Sequence, residues 1–308
     1  ADLQLYINAF TQSIKGAVED AKVDVADIKC VGFSSTAETC VFLDKYNEPL
    51  CKVIAWMDTR ATKEAEYLTA HFDKKDIINK VGFDGIYAIH PVSKILAVKN
   101  KNPEIFEKTR MFAQIKDYFI YRLTGEYYTD HSTASDHGFF DITNRCYWNE
   151  MLEFTGIKEE YLPKLVEPGT ELGTISREAA LEFGLDPETK INVGAFDQGC
   201  GAIGAGNTKP GIASESTGSA LVTVATIDAL NPDSQGDVPT LCSGIPGKYM
   251  YQPYCTGSII MKWYRDIFCE AEKMVEEQTG LNAYTQMDEM VKATPAGADG
   301  LIMLPYFQ

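Results

Sequence analysis

Residues 194–206, GAFDQGCGAIGAG, follow the apolar residues INV at 191–193 and form the strongest local signal in the chain. An apolar strand that enters a run of small residues predicts a strand followed at once by a helix. Asp197 lies at this junction, where a helix N-terminus stabilises a negative charge. Its carboxylate could accept a proton from a substrate hydroxyl. The alternative is that Asp197 only caps the helix while the glycines permit close packing.

Segments with helical and with strand periodicity alternate on both sides of this stretch. Helices are predicted at 3–23, 61–70, 148–154 and 262–277, and over much of 92–122. Strands are predicted at 28–33, 40–44, 53–56, 191–197, 211–216, 220–226 and 301–308. This alternation is typical of an α/β fold, and 308 residues favour two domains. The predicted domains are residues 1–193 and 194–308.

The charge balance limits the classes of partner. The chain has 28 Lys plus Arg against 44 Asp plus Glu, a net charge of −16, so its field repels polyanions and no nucleic acid partner is expected. Phosphate would be held locally, by backbone N–H groups, a metal ion or a few placed cations. No run approaches the ~18 apolar residues of a membrane helix, so no membrane partner is expected.

Cysteine and histidine positions give no sign of a metal site. The eight cysteines form no C-x-x-C pair, and the start of the chain lacks the pattern of a secretory signal, so free thiols in a cytoplasmic protein are expected. The four histidines show no metal-binding spacing, and no metal ligand is predicted. His90, in AIHPVSK, is either a pocket residue or a satisfied structural histidine.

Two polar segments beside predicted strands carry acidic side chains suited to sugar hydroxyls. Glu38 lies in SSTAET after an apolar strand, at an edge where α/β sheets bind ligands. Asp58 lies in AWMDTR, where Arg60 could orient it and Trp56 could cover the carbon face of a sugar. The alternatives are a polar turn at Glu38, and a helix cap with a surface ion pair at Asp58 and Arg60.

The segment SESTGSA, residues 214–220, joins two predicted strands. Hydroxyl residues and a glycine at a tight turn expose successive N–H groups that suit phosphate oxygens, although an ordinary Ser/Thr hairpin turn has the same composition. The segment is not a Walker loop, because no Gly-Lys-Ser/Thr follows a glycine at the required spacing. No G-x-S-x-G elbow appears, and no G-x-G-x-x-G follows a first strand, so serine hydrolases and dinucleotide oxidoreductases are not supported.

Several motifs occur together in one order along the chain. They are GFSSTAET, AWMDTR, HPVSK, KDYFIYRLTGEYYTDHSTASDHGFFDI, GAFDQGCGAIGAG, ESTGSALV, KWYRD and GADGLIMLPYF. In this combination, from about residue 27 to residue 308, the chain resembles the FGGY carbohydrate kinases, the family of glycerol, xylulose, ribulose and gluconate kinases. The resemblance implies an actin-like, ribonuclease-H-like α/β fold of two domains with a cleft between them. It also implies phosphoryl transfer from ATP, with Mg²⁺, to a sugar or polyol hydroxyl.

The resemblance assigns roles to residues on the sugar side of that cleft. Asp197 matches the catalytic base of the family, and its neighbour Gln198 matches a residue that touches the substrate. The segment with Trp56, Asp58 and Arg60 matches the substrate-side Trp-x-Asp-x-Arg motif. The predicted substrate-binding residues are Glu38, Thr39, Trp56, Asp58, Arg60, His90 and Gln198.

The nucleotide side is assigned in the same way. Thr217 and Gly218 match the turn that contacts nucleotide phosphate, and Gly257 lies in a segment that approaches the nucleotide. The implied mechanism is that Asp197 accepts the hydroxyl proton, the metal neutralises phosphate oxygens and domain closure excludes water. A homodimer is a further expectation.

The chain departs from its relatives at several points. The arginine of the glycerol-kinase motif Thr-Asn-Gln-Arg-Glu-Thr is Ala37 here, which disfavours glycerol, and the Gln-Met-His of xylulose kinases is absent. The expected substrate is a ketopentose such as xylulose or ribulose. No Asp-x-Gly-Thr/Ser phosphate motif precedes the first helix, and no Gly-Glu-Arg or Gly-rich adenine-binding segment follows LPYF. We therefore expect an internal fragment of a longer kinase, incomplete at both ends and poorly soluble when expressed alone.

Two other functions are compatible with parts of the pattern. A sugar-binding or regulatory protein could keep the kinase fold without catalysis, but it would not need both a base and a phosphate turn. An actin-like ATPase or scaffold would leave Glu38, Trp56 and Asp58 without a role. Measuring whether the protein binds nucleotide and whether it binds sugar distinguishes the kinase, the sugar-binding protein and the actin-like ATPase or scaffold.

Overall fold

The computed structural model describes residues 2–218 and 220–304, in which helices and strands alternate. The helices are α1 (Leu3–Ala21), α2 (Thr62–His71), α3 (Lys74–Val81), α4 (Pro91–Lys101), α5 (Pro103–Lys108), α6 (Ile115–Thr124), α7 (His131–Ala134), α8 (Asn149–Thr155), α9 (Arg177–Phe183), α10 (Asp197–Gly204), α11 (Ile259–Phe268), α12 (Glu270–Thr279) and α13 (Ala283–Ala293). The strands are β1 (Cys30–Ser35), β2 (Cys40–Leu43), β3 (Met111–Gln114), β4 (Tyr128–Asp130), β5 (Phe140–Asp141), β6 (Cys146–Tyr147), β7 (Lys164–Val166), β8 (Glu171–Thr174), β9 (Lys190–Phe196), β10 (Ala213–Thr217), β11 (Ala220–Ile227), β12 (Thr240–Cys242), β13 (Tyr249–Tyr251) and β14 (Tyr254–Thr256). The predicted α/β class is confirmed.

The described chain divides into two compact units. The first runs from the start of the described residues to Ala213 and continues at Ala225–Gln252. The second comprises Ser214–Val224 and the described residues from Pro253 onward. The domain boundary expected near residue 193 stays a prediction.

A small sheet at the centre of the first unit has the strand order β1-β9-β8. Strands β1 and β9 are parallel, and β8 pairs with β9 in the antiparallel sense. Apolar residues of β9, α6 and α9 form a buried cluster beside this sheet, which includes Ile191, Leu123 and Phe183. Because a parallel sheet is normally covered by helices, this arrangement agrees with an α/β layer.

Helix α1 packs its apolar side on the same unit. The Asp2 side chain caps the helix by accepting a hydrogen bond from the Gln4 backbone N–H at 2.9 Å. The ring of Phe10 stacks on Phe119 with centroids 4.1 Å apart and meets Phe183 edge-on at 5.4 Å. The helix predicted at 3–23 is therefore confirmed.

Shorter ladders complete the first unit. Strands β2 and β3 are antiparallel, β4 and β7 are parallel, and β5 and β6 form an antiparallel pair. Strand β13 pairs with β12 and with the end of β11.

In the second unit, the start of β11 pairs with β14, and α11 to α13 follow. Many apolar side chains on these three helices are exposed to solvent. They are Ile259, Met261, Trp263, Tyr264, Ile267, Phe268, Met274, Val275, Met290 and Val291.

One prediction of local structure near the middle of the chain is wrong. Residues 53–56 are not a strand, because only Ile54 forms a bridge, with Cys40, and the next two carbonyls accept hydrogen bonds from a lysine side chain instead. The segment 92–122 is largely helical, as predicted, in α4, α5 and α6. Strand β3 interrupts it because this apolar run pairs with β2 along its length.

Two predictions near the end of the chain also need correction. The helix predicted at 262–277 breaks at Cys269, where φ is −108° and ψ is 49°, so α11 and α12 are separate helices. The strand predicted at 301–308 is not formed at 301–304, and the rest lies outside the described residues.

None of the described helices combines the length and the hydropathy needed to cross a membrane. All eight cysteines lie within the described residues and are free thiols, of which Cys40, Cys242 and Cys269 are buried.

Candidate active site

The parallel pairing of β1 and β9 brings two predicted acidic segments to one edge of the sheet. Ser35 ends β1 opposite Phe196, which ends β9. Glu38 follows the first of these strands and Asp197 follows the second, so both arise at the carboxyl ends of parallel strands, where α/β folds bind ligands. Asp197 is the first residue of α10, and the N-cap position is taken by Phe196. Asp197 is therefore not simply the cap of its helix.

Gly194 permits the close approach of these two strands. Its φ is +66°, a left-handed conformation, and a Cβ built on it would lie 1.7 Å from the backbone oxygen of Phe33. The register between β1 and β9 shifts at this point, between Gly32 and Ser34. A side chain at residue 194 would push the two strands apart.

A buried lysine that the sequence analysis did not single out holds the loops around Glu38. Lys94, on α4, donates hydrogen bonds from Nζ to the backbone oxygens of Glu38, Ala55 and Trp56 at 2.8, 2.9 and 3.0 Å. The Thr39 hydroxyl accepts a hydrogen bond from the Trp56 backbone N–H at 3.2 Å. Hydrogen bonds made by Lys94 and Thr39 therefore connect the SSTAET and AWMDTR segments.

Asp136 is a second site residue that the sequence analysis did not single out. Asp136 and Glu38 are both buried, only 5% and 8% exposed, and the charge of Asp136 acts on the carboxyl of Glu38. Burial is the main cause that raises the pKa of Glu38 well above its usual range, and repulsion from Asp136 and Asp197 adds to it. Burial, with the charge of Asp197, raises the pKa of Asp136 to about 7.

The three carboxyl groups share one further property. Within residues 2–218 and 220–304, no Lys, Arg or His side chain forms an ion pair with Glu38, Asp136 or Asp197. The site is therefore acidic, and Lys94 is its nearby cation. A lone acidic residue inside the polar and aromatic segment STASDHGFF was the single sequence signal for Asp136.

Asp197 itself is half-buried, which leaves its carboxyl open to a ligand. Burial raises its pKa, while hydrogen bonds from the backbone and side chain of Gln198 act in the opposite direction. The predicted neighbour Gln198 is thus in contact with the predicted base.

A buried polar network supports the residue before Asp197. The Phe196 backbone N–H donates a hydrogen bond to Ser132 Oγ at 3.0 Å. The Ser132 hydroxyl in turn donates to the Asp130 carboxylate, which is ion-paired with the fully buried Lys116. Lys116 also donates to Thr133 Oγ1 at 2.6 Å. Helices α6 and α7 therefore help to fix the end of β9.

Asp58 and Arg60 lie nearer to the surface. Arg60 Nε donates hydrogen bonds to the two Asp58 carboxylate oxygens at 2.9 and 3.0 Å, and this contact lowers the pKa of Asp58. Arg60 is exposed, and the Trp56 side chain is 44% exposed. The expected contact of Arg60 with Asp58 is present, and an exposed ring at Trp56 is available to a ligand.

His90 is completely buried. Its Nδ1 accepts a hydrogen bond from the Tyr87 backbone N–H at 3.2 Å, and its ring meets Phe83 and Tyr87 edge-on. Burial lowers its pKa to about 3, so the ring is neutral near pH 7. The alternative of a satisfied structural histidine holds only for Nδ1, because Nε2 is buried without a hydrogen-bond partner among the described residues. A contact of His90 with substrate stays a prediction.

The predicted nucleotide residues come together in the second unit. The Ser258 backbone N–H and hydroxyl donate to the backbone oxygens of Gly218 and Thr217, each at 2.9 Å. A Cβ at Gly257 would lie 2.6 Å from the backbone of Ala220, so this position accepts only glycine without a shift. Thr217, Gly218 and Gly257 thus form one backbone-lined turn.

Mg²⁺, if bound, would be held together with the phosphates of a nucleotide. Among the described residues, no three His, Cys, Asp or Glu side chains are grouped so that they could hold a metal ion by themselves. Protein kinases and ATPases typically bind Mg²⁺ through one or two carboxylates together with substrate phosphates.

Comparison with known proteins identifies the class to which this fold and site belong. Residues 1–204 match the model of the FGGY family of carbohydrate kinases, N-terminal domain. Because the match covers more than half of the chain, the chain belongs to the FGGY family of carbohydrate kinases.

Individual relatives agree with this assignment. Gluconokinase from Bacillus subtilis (strain 168) is 29% identical over 282 residues, which cover 91% of this chain and 54% of that protein. Autoinducer-2 kinase from Klebsiella pneumoniae is 29% identical over 295 residues, which cover 94% of this chain and 55% of that protein. The chain spans about half the length of the curated relatives it matches.

Solved structures confirm the expected actin-like α/β sugar kinase fold. A ligand-bound xylulose kinase from Lactobacillus acidophilus superposes with a TM-score of 0.86 at 25% identity, covering 99% of this chain and 59% of that one. A gluconate kinase from the same organism gives a TM-score of 0.86 at 25% identity, covering 99% of this chain and 60% of that one.

Proposed function

We propose that the protein transfers a phosphoryl group from ATP to a hydroxyl of a sugar or polyol, most readily a ketopentose such as xylulose or ribulose. The observation that supports this most directly is the convergence of Glu38 and Asp197 at one edge of the β1–β9 sheet in a chain of this family. Asp197 is half-buried and so remains open to substrate.

Asp197 acts as the general base in this proposal. It accepts the proton of the attacking hydroxyl as the new oxygen–phosphorus bond forms. Burial raises the pKa of its carboxyl, which makes the carboxylate a better proton acceptor. A general base contributes about 10²–10⁴-fold, so orientation of the sugar must supply much of the remaining acceleration.

The sugar is bound by the loops that follow β1 and β2. Glu38 and Asp58 accept hydrogen bonds from its hydroxyls, and Trp56 covers its carbon face. Arg60 orients Asp58 through their ion pair. The residues proposed to hold these groups or the substrate itself are Thr39, His90 and Gln198.

The charge of the site supports a neutral substrate rather than a sugar acid. Glu38, Asp136 and Asp197 have no ion-pairing cation in the described residues, and the ammonium of Lys94 is engaged by backbone oxygens. Asp197, and Asp136 above about pH 7, would repel a substrate carboxylate, and unfavourable like-charge contacts are costly. This argument favours a ketopentose over gluconate, the acid named in the gluconokinase relative.

ATP is proposed to bind at the turn of Thr217, Gly218 and Gly257, whose backbone N–H groups suit phosphate oxygens. Mg²⁺, carried by the nucleotide, would neutralise charge on the transferred phosphate. A domain boundary near residue 193, a cytoplasmic location and a homodimer remain predictions.

The proposal is tested by measuring ADP release from Mg-ATP with the complete gene product over a panel of ketopentoses, pentitols and aldonic acids. We expect sugar-dependent turnover, with a ketopentose as the best substrate. Sugar binding without turnover would instead support the non-catalytic sugar-binding protein. ATP binding without binding of any sugar would support an actin-like ATPase.

A further inference from the structure

Two buried serine hydroxyls in and after α7 each bind the backbone of a distant strand. Ser132 Oγ accepts a hydrogen bond from the backbone N–H of Phe196, at the end of β9, at 3.0 Å. Ser135 Oγ accepts one from the backbone N–H of Cys242, at the end of β12, also at 3.0 Å. Both serines are completely buried. Of the two strands, β9 is the one that leads directly into Asp197.

The direction of the hydrogen bond at Ser132 is fixed by the carboxylate beside it. The Ser132 hydroxyl has one proton, which it donates to Asp130. Burial alone would raise the pKa of Asp130, but the charge of Lys116 and hydrogen bonds from two hydroxyl groups hold that pKa below its usual range. The Asp130 carboxylate is therefore ionised and only accepts. The Ser132 oxygen consequently keeps its lone pairs for the N–H of Phe196.

This network supplies position rather than charge. Asp130 and Lys116 are both completely buried and form an ion pair, so their charges balance each other. Removing the Ser132 hydroxyl would leave the net charge around the site unchanged. Phe196 occupies the N-cap position of α10, and Asp197 is the first residue of that helix. A shift of the backbone at Phe196 would therefore move the backbone from which the Asp197 carboxyl projects.

We infer that Ser132 is a positioning residue for the base Asp197, because its hydroxyl fixes the backbone at Phe196 and thereby the place of the carboxyl. This inference rests on the proposed function. A general base must lie within hydrogen-bond distance of the hydroxyl whose proton it accepts. A misplacement of about 1 Å can cost about 10²-fold in rate.

Steady-state kinetics of the complete gene product test the inference with Ser132→Ala and, as the matched control, Ser135→Ala. Each substitution removes one buried hydroxyl that binds a distant backbone N–H, so both variants should lose stability in urea. Ser132→Ala should lower the sugar-dependent kcat by about tenfold to a hundredfold and leave the KM for ATP within about twofold. Ser135→Ala should keep kcat within about twofold of the wild type.

Ser132→Cys covers the case in which Ser132→Ala does not fold. A thiol has nearly the shape of the hydroxyl but is a weaker acceptor, so kcat should lie between those of the wild type and the alanine variant. A wild-type kcat in Ser132→Ala, or in Ser132→Cys where alanine is not tolerated, would overturn the inference. An equal fall of kcat in Ser135→Ala would overturn it too. Either result leaves the proposed function standing, because the wild type still phosphorylates sugar.

Amide hydrogen exchange gives a readout that does not need turnover. An N–H that loses its buried acceptor exchanges faster, so exchange at residues 194–198 should be faster in Ser132→Ala and unchanged in Ser135→Ala. Absence of turnover in the wild type would be a failure of the proposed function, and faster exchange confined to Ser132→Ala would still support the placement of Asp197 by Ser132. Unchanged exchange at 194–198 in Ser132→Ala would refute that placement, with or without turnover.

Discussion

Lys94 shows how a single buried residue controls the geometry of the site. Its ammonium is the donor for three backbone oxygens from two loops, and burial lowers its pKa. The carbonyls of Ala55 and Trp56 accept these bonds in place of partners in a strand. The positions of Glu38 and Trp56 therefore depend on a side chain that need not touch the substrate.

We expect Lys94→Met to destabilise the complete gene product by about 2–4 kcal/mol, because a buried polar group that loses its partner retains its desolvation cost. The KM for the sugar should rise as the two loops separate. Urea unfolding and steady-state kinetics measure these effects. Lys101→Met, on the exposed end of the same helix, is the control and should change the free energy of unfolding by less than about 0.5 kcal/mol. Equal stability of the two variants would contradict this role for Lys94.

Individual site residues differ in how well the sequence reveals them. Glu38, Asp58 and Asp197 follow apolar segments in recognisable motifs, so the amino-acid sequence itself indicates their chemistry. Lys94 acts through hydrogen bonds to backbone oxygens far away in the chain, and Asp136 comes near Glu38 only in the folded protein, so nothing in their local sequence indicates these positions. Tertiary contacts and burial, which a linear pattern does not contain, place both residues.

The β1–β9 pair is the element on which the site depends. Gly194 lies against the backbone of Phe33 with a left-handed φ, in a position that leaves no room for a Cβ. The same pair delivers Glu38 from one strand and Asp197 from the other, so a disturbance here would move both acidic groups.

Gly194→Ala should therefore cost about 2–4 kcal/mol of stability, because the new methyl group meets a backbone oxygen in a strained conformation. Gly201→Ala, in α10, is the matched control, since no atom lies within 4 Å of its Cβ position. Alanine should there stabilise the helix by about 0.5–1 kcal/mol. Thermal and urea unfolding of both variants give the comparison, and a stable Gly194→Ala protein would contradict the described packing of β1 on β9.

Helices and strands with strong periodicity were predictable, and their partners were not. The helix at the start of the chain and the strand that leads to Asp197 are confirmed by α1 and β9. The segment at 53–56 has the composition of a strand, but the carbonyls of Ala55 and Trp56 accept hydrogen bonds from Lys94. Residues 111–114 lie within a helical pattern but pair with β2. In both segments, a tertiary partner overrides the local preference.

On the scale of the whole molecule, charge and exposed apolar surface constrain behaviour. The net charge of −16 argues against polyanionic partners. The apolar side chains exposed on α11 to α13 are of the kind that marks an interaction surface or a tendency to associate. Poor solubility of the 308-residue chain expressed alone stays a prediction that these side chains support.

The most direct test of the central claim is the sugar-dependent kcat of Asp197→Asn in the complete gene product, measured as ADP release beside the wild type. Asparagine preserves the shape of the side chain but does not accept the hydroxyl proton, so we expect kcat to fall by about 10²–10⁴-fold while the sugar and ATP still bind. Calorimetric binding of both ligands serves as the control for folding. Turnover near the wild-type rate would contradict the assignment of Asp197 as the base, and with it the proposed mechanism.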